Sequence, residues 1–171
     1  MCDAQVLGAI PEGGFVSAMN QSNICSNYSF IEPWTTAFVP QRTVWFQFTI
    51  PESGHILING YSHPENPVGI QLALFTSSTN DCTGFFTQIG TNYLGQDLDE
   101  FLEMQCLEEG LEVWLLIDGD GNETAGVFDL VISDAGDLAP QSTTMIDEVL
   151  CAGQSIEIAG NVYTETSNIY I

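Results

Sequence analysis

From Val44 onward the chain alternates apolar and polar positions with a period of two, the spacing of a strand with one buried face. TVWFQFTIP puts Val44, Phe46, Phe48 and Ile50 on one side and Trp45, Gln47 and Thr49 on the other, and Pro51 closes the run. The turn residues ESG lead into a second strand, HILINGYS. VGIQLALFTSS alternates Ile70, Leu72 and Leu74 before the polar loop TNDC, and GFFTQIGTNYL continues the pattern. After the turn DGDGNETAG, the segment VFDLVISDAG directs Phe128, Leu130 and Ile132 inward.

A helix competes only in DEFLEMQCLEEGLEVWLLIDG, whose first half has helix-forming residues and apolar spacings of three and four. Its second half, LEVWLLID, places Leu111, Val113, Leu115 and Ile117 on one face and reads as a strand. The first half is expected to be a strand too, with the chain turning at Glu109-Gly110. Short strands separated by glycine-rich turns predict an all-β fold, an antiparallel β-sandwich or jelly roll. At DLAPQSTT the texture becomes that of a linker, and MIDEVLCAGQSIEIAG then begins a fresh alternation. The expected organisation is a sandwich over 1–137, a linker over 138–146, and over 147–171 the first part of a second β module, cut short in a hairpin.

Charge changes the picture most. The chain has 23 acidic residues against one base, Arg42, and no lysine, for a formal charge of −22. Such a surface repels phosphate, which excludes nucleic acid and anionic membrane surfaces as partners. It attracts cations, calcium among them, and stays soluble in salty water. No segment reaches the roughly 18 apolar residues that span a bilayer, so direct membrane insertion is not expected. No basic stretch followed by an apolar run opens the chain as a signal peptide would.

Cys2, Cys25, Cys82, Cys106 and Cys151 show no CxxC pair and no histidine at ligand spacing, which argues against zinc and haem. Two bridges with one cysteine over is the extracellular reading, and five buried thiols the cytosolic one. The pairing expected is Cys2 with Cys25 and Cys82 with Cys106, each closing a loop of modest length; four cysteines allow three connectivities.

In TVWFQFTIPESGHILING, LALFTSS and LEEGLEVWLLIDGDGNETAGVFDLVIS, the residues Val44-Trp45-Phe46, Pro51, Ser53-Gly54, Leu74-Phe75, Gly110, Trp114, Gly126 and Phe128-Asp129-Leu130 stand in a recurring order. Over about residues 1 to 135 that order resembles the bacterial pre-peptidase C-terminal domain, a calcium-associated β-sandwich appended to secreted proteins. The form with an opening cysteine and another near residue 25 is similar to those of large Bacteroidetes surface proteins. The tail, with Cys151 before a hairpin such as GNVYTETSNIYI, resembles a further module of those proteins in which a second cysteine follows downstream. Cys151 is then half of a bridge, unpaired here. The resemblance implies export by type IX secretion and a place in an adhesin, a gliding-related protein or another long surface polypeptide.

DGDGNETAG is the strongest candidate site. Asp118, Asp120 and Asn122 occupy alternate positions that can converge oxygen ligands on calcium, and Asp129 falls at the closing position of a loop of roughly twelve residues. Glu123 stands where such a loop has glycine, and a polar hairpin turn explains the same residues. The acids Asp97, Asp99, Glu100, Glu103, Glu108, Glu109 and Glu112 read as a solvated face rather than a glycosidase pair. His55 and His63 lack a nucleophile at a recognisable spacing and read as surface residues. Trp45 and Trp114, with Trp34, Tyr28, Tyr61 and Tyr93, could form a ligand-stacking platform, but core is the favoured reading because aromatics usually pack inside.

The function expected is a non-catalytic structural or adhesive module of a very large extracellular protein, acting in surface attachment or an appendage. The alternative is a carbohydrate-binding accessory module of a secreted hydrolase; a catalytic role ranks third, since the chain has no GxSxG, HExxH or phosphate-binding loop. Partners expected are neighbouring modules of the same polypeptide, a cell-surface glycan or protein, or further copies joined through the strand edges of the second module.

Overall fold

The computed structural model describes residues 3–27, 33, 40–79, 81, 83–92, 99–119 and 124–136, and the backbone of two short strands, at 156–158 and 161–163. The chain separates into two compact units, Met1–Leu138 and Ala139–Ile171. The first contains β1 (Gln5–Ala9), β2 (Phe15–Ser22), β3 (Val44–Thr49), β4 (Ile56–Ser62), β5 (Ile70–Ser77), β6 (Phe86–Asn92), β7 (Glu100–Met104), β8 (Glu112–Gly119) and β9 (Val127–Asp134). In the second, β10 (Ile156–Ile158) pairs antiparallel with β11 (Asn161–Tyr163). The expected linker, 138–146, lies outside the described residues, and among the described residues no helix is long and apolar enough to cross a membrane.

The strands of the first unit form a five-stranded sheet, β1-β3-β8-β5-β6, and a four-stranded sheet, β2-β9-β4-β7. The antiparallel pairs are nested: β2 with β9, β3 with β8, β4 with β7, β5 with β6. A long hairpin folded over itself so that successive strands fall in alternate sheets makes these pairs, and this is a jelly roll. β1 is an addition to it, lying parallel to β3 at the sheet edge, where the sequence predicts only antiparallel pairing. β1 and β2 carry no clear alternation, because a bulge interrupts each: Gly8 at φ 86 in the first, Asn20 at φ 54 in the second.

The faces predicted by alternation are the faces that pack. Phe46, Phe48 and Ile50 meet Leu72, Leu74, Leu115 and Ile117 from one sheet and Ile56, Ile58, Phe128, Leu130 and Ile132 from the other in a continuous core. Phe46 and Phe128 join the layers edge to face, with ring centroids 6.4 Å apart. The competing helix is strand β7, with Leu102 in the core and Phe101 outside. Paired along its length with β4, its backbone groups gain partners a lone helix on the sheet would not share.

The motif PESG has a steric explanation. Pro51 accepts a bond from the Gly54 N–H at 3.0 Å, and Gly54 turns back with φ 62. Its carbonyl accepts the Leu107 N–H at 3.0 Å, and a Cβ at this position would collide with the Leu107 carbonyl oxygen. Only glycine satisfies both the left-handed backbone and the close approach.

Candidate functional site

Asp118 and Asp129, the two calcium candidates among the described residues, lie in different sheets. Asp118 is the penultimate residue of β8 in the five-stranded sheet and is 2 % exposed. Its carboxylate accepts the N–H groups of Gln41 at 2.7 Å, Arg42 at 2.8 Å and Gly119 at 2.8 Å, so it fastens the approach to β3. Asp129 lies on β9 in the other sheet. It accepts the Asn20 N–H at 2.7 Å, inside the β2 bulge, and contacts His63 Nε2 at 3.0 Å. The Asn20 amide, and then His63, hold its carboxyl below the usual range.

Asp120 and Asn122 lie outside the described residues. The far end of their loop is gripped by Asn23, which the sequence did not single out. It is 1 % exposed, donates to the Thr124 carbonyl at 3.3 Å and accepts the Gly126 N–H at 2.8 Å. Among the described residues no group of three His, Cys, Asp or Glu side chains is gathered to hold a metal.

Trp45 and Trp114 lie on the face of the five-stranded sheet away from the main core, where they pack with Ala73, Phe75 and Leu116. They are 5 % and 1 % exposed, so neither ring offers an open stacking face. Phe86 stands edge-on to Trp114 with centroids 5.4 Å apart. Cys25 and Cys106 are exposed free thiols, while Cys2, Cys82 and Cys151 lie outside the described residues.

His55 departs from the surface role expected of it: it is 8 % exposed, because the Gly54 turn tucks its ring under the end of β9. Nδ1 lies 3.1 Å from the Gly136 carbonyl and Nε2 2.8 Å from Glu103 Oε1. A carbonyl only accepts, so Nδ1 carries the proton in the first contact. Glu103 sits below the usual carboxylate range, through the Gln105 side chain first and His55 second.

Beside this histidine a cavity of about 240 Å³ is lined by Glu12, Gly13, Glu52, Ser53, Asp134 and Gly136. Asp134 has its oxygens engaged: the Ser53 hydroxyl donates at 2.6 Å, the Gly13 N–H at 2.7 Å and the Gly136 N–H at 2.9 Å. The Ser53 hydroxyl and the Gly13 amide, in that order, lower its carboxyl. The cavity is a junction of three chain segments knotted by one carboxylate.

Among the described residues, several exposed large apolar side chains share one surface, the outer face of the four-stranded sheet. Residues turned away from the core on β2, β9, β4 and β7 alternate apolar with polar both along and across the strands. One row runs Ser17, Val131, Asn59, Phe101, and the adjacent row Phe15, Ser133, Leu57, Glu103. The apolar members therefore meet on diagonals, about 7–8 Å apart, within reach of large side chains. Leu57 and Tyr61 each lie diagonal to both Val131 and Phe101. Phe15 is 62 % exposed, Phe101 57 %, Met19 53 % and Tyr61 45 %. The sequence signal for this face was Phe101 and Tyr61 at outward positions of strands whose inward sets were already complete. No protein-family model matches the chain, and no curated protein matches it.

Proposed function

We propose that this chain is a non-catalytic adhesive and structural module of a very large extracellular surface protein, contributing to cell-surface attachment or to an extracellular appendage. The observation that carries the reading is the aromatic face on the four-stranded sheet, with Phe15, Met19, Tyr61 and Phe101 all exposed. Monomeric soluble proteins rarely expose contiguous apolar patches of this kind unless the patch makes contact with something. The face lies on a rigid sheet rather than on loops, as suits a contact under mechanical load.

The resemblance to the pre-peptidase C-terminal domain supports the same reading and brings secretion by a type IX route. The reading further includes oxidation of the free Cys25 and Cys106 thiols to the bridges Cys2–Cys25 and Cys82–Cys106, proposed from the modest loops they close, and calcium at the loop of Asp118, Asp120 and Asn122, proposed from its alternating oxygen ligands. Calcium there raises the melting temperature at millimolar concentration; no shift removes it from the proposal.

The module coupled to beads tests adhesion. Beads are expected to attach to the surface of the producing cells, and those bearing Phe15→Ser with Phe101→Ser to attach far less. Failure of the wild-type beads to attach, or undiminished attachment by the variant, rejects the adhesive reading.

A further inference from the structure

We propose that the outer face of the four-stranded sheet docks a cationic protein segment in which lysine or arginine alternates with apolar residues, centred on Phe101. The proposal rests on the adhesive reading and adds the chemistry of the partner. Its geometry comes from strand β7. Phe101 projects outward there, with Glu103 two residues on at roughly 7 Å along the strand and Asp99 two residues back, just before β7, beside the end of β4.

Each of these acids has one oxygen already engaged. Asp99 Oδ1 accepts the Ser62 N–H at 2.8 Å. Glu103 Oε1 takes His55 and the Gln105 amide at 2.8 and 2.9 Å. Those bonds fix each carboxylate in place, while Asp99 and the Glu103 side chain stay exposed. The chain thus presents acid, aromatic, acid at the alternate positions 99, 101 and 103. Val131, Leu57 and Tyr61 extend the apolar diagonals behind it. A partner of alternating cationic and apolar side chains matches that order, burying its apolar members and setting its charges against the carboxylates.

The charge of the whole chain decides between occupants. With 23 acids against one base, the field around the module draws in a cationic segment and repels an acidic one. A second copy brings the same −22 and a single guanidinium, that of Arg42, which already donates to the Ile24 carbonyl at 2.8 Å. Self-association through this face therefore sets like charge against like. Aromatic and methionine side chains are also the types enriched at protein interfaces.

Synthetic peptides of equal length test this: alternating lysine and leucine, alternating lysine and serine, and alternating glutamate and leucine. They are titrated at low salt while backbone amide shifts are followed. The lysine–leucine peptide is expected to bind with shifts grouped on Tyr61, Phe101 and Val131, and to compete with bead attachment. Phe15→Ser with Phe101→Ser is expected to weaken it by about ten-fold or more, the scale of losing an aromatic anchor. Asn59→Lys, which sets a cation in the middle of the face, weakens it comparably and serves where the serine variant folds poorly.

Shifts scattered over the acidic surface, equal binding by the lysine–serine peptide, or unchanged affinity in both variants overturn the proposal. So does dimerisation through this face in sedimentation, or grouped shifts there with cellohexaose in place of the peptide. Attachment of beads that the peptide does not compete away leaves the adhesive reading standing and rejects the cationic partner.

Discussion

Ser53 and Asp134 are joined by a 2.6 Å hydrogen bond from hydroxyl to carboxylate, between the turn after β3 and the last residue of β9. The Ser53 oxygen in turn accepts the His55 N–H at 3.1 Å, so one short side chain sets the turn and anchors the end of the sandwich. Ser53→Ala leaves both an amide and a carboxylate short of a partner. The expected loss is about 1–2 kcal/mol, read as a fall of several degrees in melting temperature. A change below one degree removes this role.

Acid should release the same knot. A carboxyl with a depressed folded value stabilises the fold above its unfolded value, and that contribution disappears as pH falls through the folded value. Asp134 and Asp129 lie below an ordinary 3.8, and Glu103 below an ordinary 4.5. Falling pH also discharges the self-repelling surface, so the informative quantity is a difference. The gap in melting temperature between wild type and Asp134→Asn should be full above about pH 5 and close as pH drops below the ordinary aspartate value. A gap independent of pH excludes the carboxylate as its source.

Two glycines separate crowding from backbone conformation. Gly54 has φ 62 and abuts the Leu107 carbonyl, whereas Gly110 has φ 74 and open space where a Cβ would be. Gly110→Ala pays only for the left-handed backbone, about 1–2 kcal/mol. Gly54→Ala adds displacement of the 107 backbone and should cost clearly more, about 3 kcal/mol or above. Equal losses in denaturant titrations contradict the close approach.

Adjacent residues on β7 should behave oppositely. Leu102 is 8 % exposed and packs in the core, so Leu102→Ala should cost about 2–3 kcal/mol. Phe101 faces outward, and Phe101→Ser should change stability by no more than about 0.5 kcal/mol. Chemical denaturation of the two variants checks which face of β7 is inside. A large loss for Phe101→Ser places that ring in the core and withdraws the open face.

Alternation along the chain marks the strands from β3 to β9 and assigns the inward faces of β3, β5, β8 and β9, because a period of two can be read wherever one face is apolar. Phe46, Phe48, Leu72, Leu115 and Phe128 lie where that period puts them. It left β1 and β2 unread, since a bulge at Gly8 and another at Asn20 break the alternation on which the reading depends. For Trp45 and Trp114 the sequence favoured core over platform only because aromatics usually pack inside. Alternation assigns a residue to a face but cannot say whether that face is covered, and here it is. Nesting of the strand pairs, and with it the open sheet that carries Phe101, belonged to the tertiary structure alone. So did the fate of Asp118 and Asp129. Close along the chain, they lie in different sheets, because the chain crosses from one to the other between them. In a jelly roll successive strands fall in opposite layers, so closeness in sequence puts their side chains on separate networks of hydrogen bonds.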